Sequence, residues 1–276
     1  MPLEAVAIVL VAAFLHALWN MLLARSTDTG AAIAVATAVG ALITLPVALA
    51  RWRLEPAAVP WVALSATLEL VYFVLLARAY RRADLSLVYP IARGLSPVLV
   101  LAGSVLWLQE PASPVALVGI AMVAVGVLLV RGLRAPASIR DVVLAAVIGL
   151  CIAGYTLADQ QGVRYADPIA YLLLIVGIPA AAWCGWLAMT DGTARLRAAL
   201  TPSIVVGGVA ALAAYGLVLV ALGMAWAPGV AALRETSIVM ATVMAALVLH
   251  ERVERSRWLG SIVLVAGIAL VVTGSG

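Results

Sequence analysis

The chain has 276 residues, of which 66% are hydrophobic and 11% charged. That leaves too few polar groups to clothe a soluble globule and marks an integral membrane protein with the lipid bilayer as its first partner. The formal charge of +4 comes from arginine alone, because the sequence contains no lysine. These arginines sit between apolar runs, where headgroups would meet them, so nucleic acid is not an expected partner.

A bilayer span needs about 20 apolar residues. Ten such runs follow one another at 3–24, 31–50, 59–79, 84–108, 112–131, 139–161, 166–189, 202–225, 229–249 and 256–273. The start, Met1 to Glu4, lacks a basic region, so the first span is expected to be retained rather than cleaved. In that span His16, Trp19 and Asn20 share one helical face by their spacing. Glu69 stands at the centre of the third span, with Tyr72 and Phe73 on its face. The fourth carries Tyr89 and Arg93, bracketed by Pro90 and Pro97. Proline has no N–H, so Pro97 deprives the Arg93 carbonyl of its donor and Pro90 does the same to Ser86; a kinked helix with carbonyls turned inward is predicted. The sixth span holds Cys151, Tyr155 and Asp159, the seventh Cys184, and the ninth Arg234 and Glu235. The cysteines lack metal-ligand spacing, and no phosphate-binding glycine loop occurs, so neither metal nor cofactor is expected.

Two segments repeat at a constant offset of 141 residues: Arg93, Ser96, Glu110, Gly119 and Gly126 recur as Arg234, Ser237, Glu251, Gly260 and Gly267. The ungapped match covers 92–130 and 233–271. This predicts an all-α fold of ten transmembrane helices in two five-helix repeats, 1–131 and 139–276, joined by 132–138. Five is odd, so the second repeat enters the membrane inverted, the construction of secondary transporters whose site lies at the repeat interface. Alternate connections divide the arginines unevenly. Arg25, Arg78, Arg81, Arg82, Arg131, Arg134, Arg140, Arg195, Arg197, Arg252, Arg255 and Arg257 fall on one side, against Arg51, Arg53 and Arg164 on the other. The positive-inside rule makes the first set cytoplasmic and places both termini outside a cytoplasmic (inner) membrane.

An arginine in hydrocarbon costs at least ~2.5–3.5 kcal/mol, so Arg93 and Arg234 are expected to face a partner or a watery cavity. Successive helix positions diverge, so Glu235 is not expected to pair with its neighbour Arg234. Two guanidinium forks suit carboxylate or phosphate-like groups and point to an anionic or zwitterionic, amino-acid-like solute. Trp19, Tyr72, Tyr89, Tyr155 and Tyr215 are candidate walls for its apolar part. Glu69, Asp159 and Glu235 are candidates for carrying protons and equally for counter-ions to the arginines. His16 is a candidate relay, with a structural role as the alternative.

The runs His16-Ala17-Leu18-Trp19-Asn20, Ala79 to Arg93 and Ala232-Leu233-Arg234-Glu235-Thr236-Ser237, with the duplicated glutamates and glycines, resemble the EamA-like family of the drug/metabolite transporter superfamily. The resemblance implies a ten-helix carrier of small organic solutes working by alternating access, commonly as an exporter, with exchange also open. Alternatives are an intramembrane enzyme, a channel or an accessory subunit. A monomer and a homodimer are both compatible with the sequence.

Overall fold

The computed structural model describes residues 1–24, 26–82, 85–131, 138–247 and 254–274. In chain order its helices are α1 (Leu3–Leu23), α2 (Thr29–Ala50), α3 (Val59–Arg82), α4 (Leu85–Leu106), α5 (Pro114–Arg131), α6 (Ile139–Gly162), α7 (Pro168–Thr190), α8 (Thr193–Ala199), α9 (Pro202–Leu222), α10 (Ala227–Arg234), α11 (Thr236–Leu247) and α12 (Arg255–Gly274). Among the described residues seven helices are long and apolar enough to cross a membrane, and α4 and α5 add shorter apolar stretches, Ile91–Leu106 and Pro114–Val130.

The first amides of a helix have no acceptor within it, and here polar residues supply one. Asp28 accepts from the Ala31 amide at 3.1 Å, Ser138 from Asp141 at 3.1 Å, Asp167 from Ile169 at 2.9 Å and Thr201 from Ile204 at 3.4 Å. Pro168 and Pro202 then open α7 and α9, where a missing N–H leaves no bond unmade.

The ninth run differs from its expected single span. It is split at Glu235 into α10 and α11, whereas α4, its counterpart in the first half, runs unbroken through Pro97. Pro90 lies on the same helix, but its side chain falls outside the described residues. The copy that breaks is the one with no proline at the positions equivalent to Pro90 and Pro97, and it breaks at the residue whose carboxylate turns to α4.

Helix contacts come in pairs. α1 packs on α9 and α3 on α6; α4 packs on α6 while α1 packs on α10 and α11; α2 packs on α9 while α3 packs on α7. Exchanging α1 with α6, α2 with α7, α3 with α9, α4 with α10 and α11, and α5 with α12 turns each contact into its mate. Three pairs map onto themselves, α2 with α7, α5 with α12 and α4 with α10. The second is a seam of glycines: a Cβ on Gly119 would lie 2.7 Å from the Gly267 carbonyl, and one on Gly260 would lie 2.8 Å from that of Gly126. Gly119 and Gly260 are repeat equivalents, as are Gly126 and Gly267, so each glycine meets the other's counterpart. That crossed pattern is what a two-fold relation demands of a self-complementary contact, and the absent side chains let the backbones touch.

The α2–α7 pair is fastened at both ends. At one end Asp28 accepts from Arg195 at 2.5 and 3.0 Å, and Arg195 also pairs with Asp191. At the other, Asp167 accepts from Arg51 at 3.0 and 3.1 Å. In each case the acid that caps one helix holds an arginine just beyond the end of the other. The Arg51 end also joins the 51–55 and 163–167 connections through Glu55 N–H to the Tyr165 carbonyl (2.9 Å) and Asp167 N–H to the Arg53 carbonyl (2.8 Å). Exposed Trp52, Trp107, Trp186 and Trp258 sit at or near helix ends, and exposed Leu42, Val47, Leu150 and Ile262 lie between such ends, a distribution suited to interfaces and hydrocarbon.

Candidate functional site

Between the paired helices lies a cavity enclosing about 1030 Å³ of empty space, open solvent at its mouth included. α1 contributes His16, Trp19 and Asn20, α3 contributes Glu69, Tyr72 and Phe73, α4 Arg93, α6 Tyr155 and α10 Arg234. Helical spacing places each set on one face, and Asn20 Nδ2 is steadied by donating to the His16 carbonyl at 2.8 Å. The lining reaches Leu23 and Ile33 beside the turn between α1 and α2.

The walls are aromatic on one side. Tyr72 meets Phe73 at 5.7 Å between centroids, Tyr155 at 6.1 Å edge-on, and Tyr155 meets Tyr215 at 6.1 Å. Offset and edge-on pairs hold rings rigidly without filling the space before them.

The two arginines have different surroundings. Arg93 is buried and pairs with Glu235 at 3.2 Å, with Nη2 donating to Ser237 Oγ at 3.2 Å. Its charge is thus compensated from α10 and α11, across the repeat boundary. Arg234 lines the cavity partly exposed and has no carboxylate within ion-pair distance among the described residues. It lies close to the Tyr155 hydroxyl instead.

Nine of the candidate site residues read from sequence line the cavity: His16, Trp19, Asn20, Glu69, Tyr72, Arg93, Tyr155, Tyr215 and Arg234. Two stand behind the wall. Glu235 backs Arg93, and Asp159 is fully buried, accepting from Ser65 Oγ at 2.6 Å and from the Tyr215 hydroxyl at 2.7 Å. The Tyr89 side chain and all of Glu251 lie outside the described residues. Glu110 sits away from the cavity, accepting from Ser104 Oγ at 2.5 Å and from Gln160 Nε2 at 3.4 Å, and Ser104 in turn accepts from Trp226 Nε1 at 3.1 Å. No group of three or more potential metal ligands occurs among the described residues. Sequence reasoning missed Thr37 on α2 and Ala211, Leu212 and Ala214 on α9. A signal that could have pointed to them is the four-residue spacing of the small residues Gly207 and Ala211, and Gly207 does pack closely, a Cβ there lying 3.0 Å from the Trp19 ring.

The model of the EamA-like transporter family matches residues 3–132 and again 140–273. The chain belongs to that family. Among curated proteins none matches this EamA-like transporter. A solved structure, titled "Crystal structure of protein", is similar with a TM-score of 0.78 at 15% identity, covering 100% of this chain and 98% of that one; at such identity the likeness carries the fold alone. In this EamA-like transporter the cavity brings two arginines from the two halves of the chain beside aromatic walls.

Proposed function

We propose that this EamA-like transporter is a ten-span secondary carrier of small anionic or zwitterionic, amino-acid-like solutes, working by alternating access in export or exchange. Its two inverted repeats are 1–131 and 139–276, linked by 132–138. The arginine-rich connections face the cytoplasm, and both termini lie on the outer side of the cytoplasmic membrane. α10 and α11 together make the ninth span, its break set at mid-membrane where the site needs polar backbone.

The observation carrying this reading is the contrast between the arginines. Glu235 neutralises Arg93, and Arg234 presents its charge to an aromatic-walled cavity with no acid at ion-pair distance among the described residues. A solute carboxylate would complete that guanidinium, and the arc of Phe73, Tyr72 and Tyr155 would take the apolar remainder.

A panel of amino acids, their decarboxylated amines and their deaminated acids tests it by thermal unfolding, since a ligand of the folded form raises apparent stability. Amino acids or acids stabilise, and amines lacking a carboxylate do not. Arg234→Gln weakens binding at least tenfold, as expected for a hydrogen bond to charge of about 1.5–3 kcal/mol. Equal stabilisation by the amines, or full binding by Arg234→Gln, overturns the assignment. Counterflow in liposomes separates carrier from channel.

A further inference from the structure

Two carboxylates near the cavity have no cation at ion-pair distance among the described residues: Glu69 on its wall and Asp159 behind it. Tyr215 stands between them. Its hydroxyl donates to Asp159 Oδ2 at 2.7 Å, and Glu69 lies against the same hydroxyl. A phenol has one hydrogen to give. With that hydrogen directed at Asp159, the phenolic oxygen is left as an acceptor, which Glu69 can engage only by supplying a proton of its own. Two bare carboxylates flanking one hydroxyl in low dielectric would also repel at full strength; one shared proton removes that cost.

The geometry points to Glu69, Tyr215 and Asp159 as a proton-carrying unit, separate from the arginine that takes the solute's carboxylate. The transfer is balanced. The Glu69 carboxyl gives its proton to the Tyr215 oxygen while the Tyr215 hydrogen passes to the Asp159 carboxylate, so one proton moves and the tyrosine is unchanged. Ser65 Oγ, donating to Asp159 Oδ1 at 2.6 Å, holds the acceptor in place. Once deprotonated, Glu69 is an anion facing the cavity, fit to receive a solute ammonium, so proton movement and solute binding are linked. This rests on the carrier reading above.

The groups around the pair are mostly phenols and a thiol, classes whose ordinary values lie at about 8.5 or above: Tyr155 and Cys151 on α6, Tyr171 on α7 and Tyr72 on α3. The charged groups are Arg234 on α10 and Arg93 on α4 with its partner Glu235. His16 on α1 lines the same cavity and is the one competitor, so its substitution belongs in the test.

Infrared pH-difference spectra of the full-length protein in liposomes read carboxyl protonation directly and need no solute. The expected result is a protonated-carboxyl band that moves when glutamate is isotope-labelled, vanishes in Glu69→Gln, shifts in Asp159→Asn and persists in His16→Gln. Labelling leaves the protein unmutated, so the outcome is readable even where a variant fails to fold. In liposomes loaded with a pH dye, an imposed voltage drives proton entry that Glu69→Gln abolishes. A band insensitive to glutamate labelling, its loss in His16→Gln alone, or entry driven by sodium in place of protons overturns the proposal. Should the wild type show no counterflow but keep the band, the carrier reading fails and the proton unit stands.

Discussion

Arg93 and Arg234 are the same residue of a duplicated pattern, and the two halves treat them differently. Arg93 is buried against Glu235 and Ser237, and Arg234 faces the cavity beside a tyrosine. The cause lies one residue further on. The position equivalent to Glu235 is Gly94, where a Cβ would lie 3.3 Å from the Ala124 carbonyl, so an acid there would press on the backbone of α5. The repeated pattern holds the cation in both halves, and the next residue differs: the acid after Arg234 pairs with Arg93, and a glycine follows Arg93.

The sharpest way to break this contrast is Glu235→Gln. It removes the carboxylate paired with the buried Arg93 guanidinium and is expected to destabilise by about 3–5 kcal/mol, read as a large fall in unfolding temperature. Arg93→Met with Glu235→Leu together recovers most of the loss, because both charges leave at once. Arg234→Gln stays close to wild type in the same measurement. Similar losses from Glu235→Gln and Arg234→Gln would mean that the two arginines are not differently employed.

A middling effect tests whether the halves are alike elsewhere. Gly119→Val and Gly260→Val each force a side chain against backbone in the α5–α12 seam and should cost about 1–3 kcal/mol. Thermal unfolding of the two variants should agree within about 0.5 kcal/mol. A marked inequality would show that the seam is not two-fold, and the comparison of Arg93 with Arg234 would lose its frame.

The smallest effects belong to the fastened ends of α2 and α7. Arg195→Gln and Arg51→Gln each remove a partly exposed ion pair and should cost under about 1 kcal/mol. The Arg195 guanidinium holds the Asp28 carboxyl below its ordinary value of 3.8. A lowered value means that the pair stabilises fully above the ordinary one and that the benefit fades as pH falls through the lowered value. The gap in unfolding temperature between wild type and Arg195→Gln should therefore close on acidification below 3.8. A gap independent of pH would assign it to packing instead.

Much of this was legible in sequence, for a physical reason. Burying an arginine or removing a side chain from a helix is expensive enough that a residue kept at both positions marks a constraint, so Arg93, Arg234 and the four glycines could be read directly. That Arg93 would seek a partner on another helix followed from its cost; that the partner would be Glu235 did not, since pairing across the repeat boundary depends on how the helices dock. The break at Glu235 was hidden because no proline marks it, while Pro97 drew attention to a helix that runs on unbroken. Thr37, Ala211 and Leu212 were invisible as site residues because small and apolar side chains look alike whether they face lipid, a neighbour or a cavity.

The seam of α5 and α12 has a last consequence. A stripe that fits its own upturned copy needs to arise once, and doubling the gene supplies both sides of the joint at the same stroke. Any later change to one glycine then strikes the neighbour of its twin, so the two halves stay bound to a shared grammar there even as their arginines part ways.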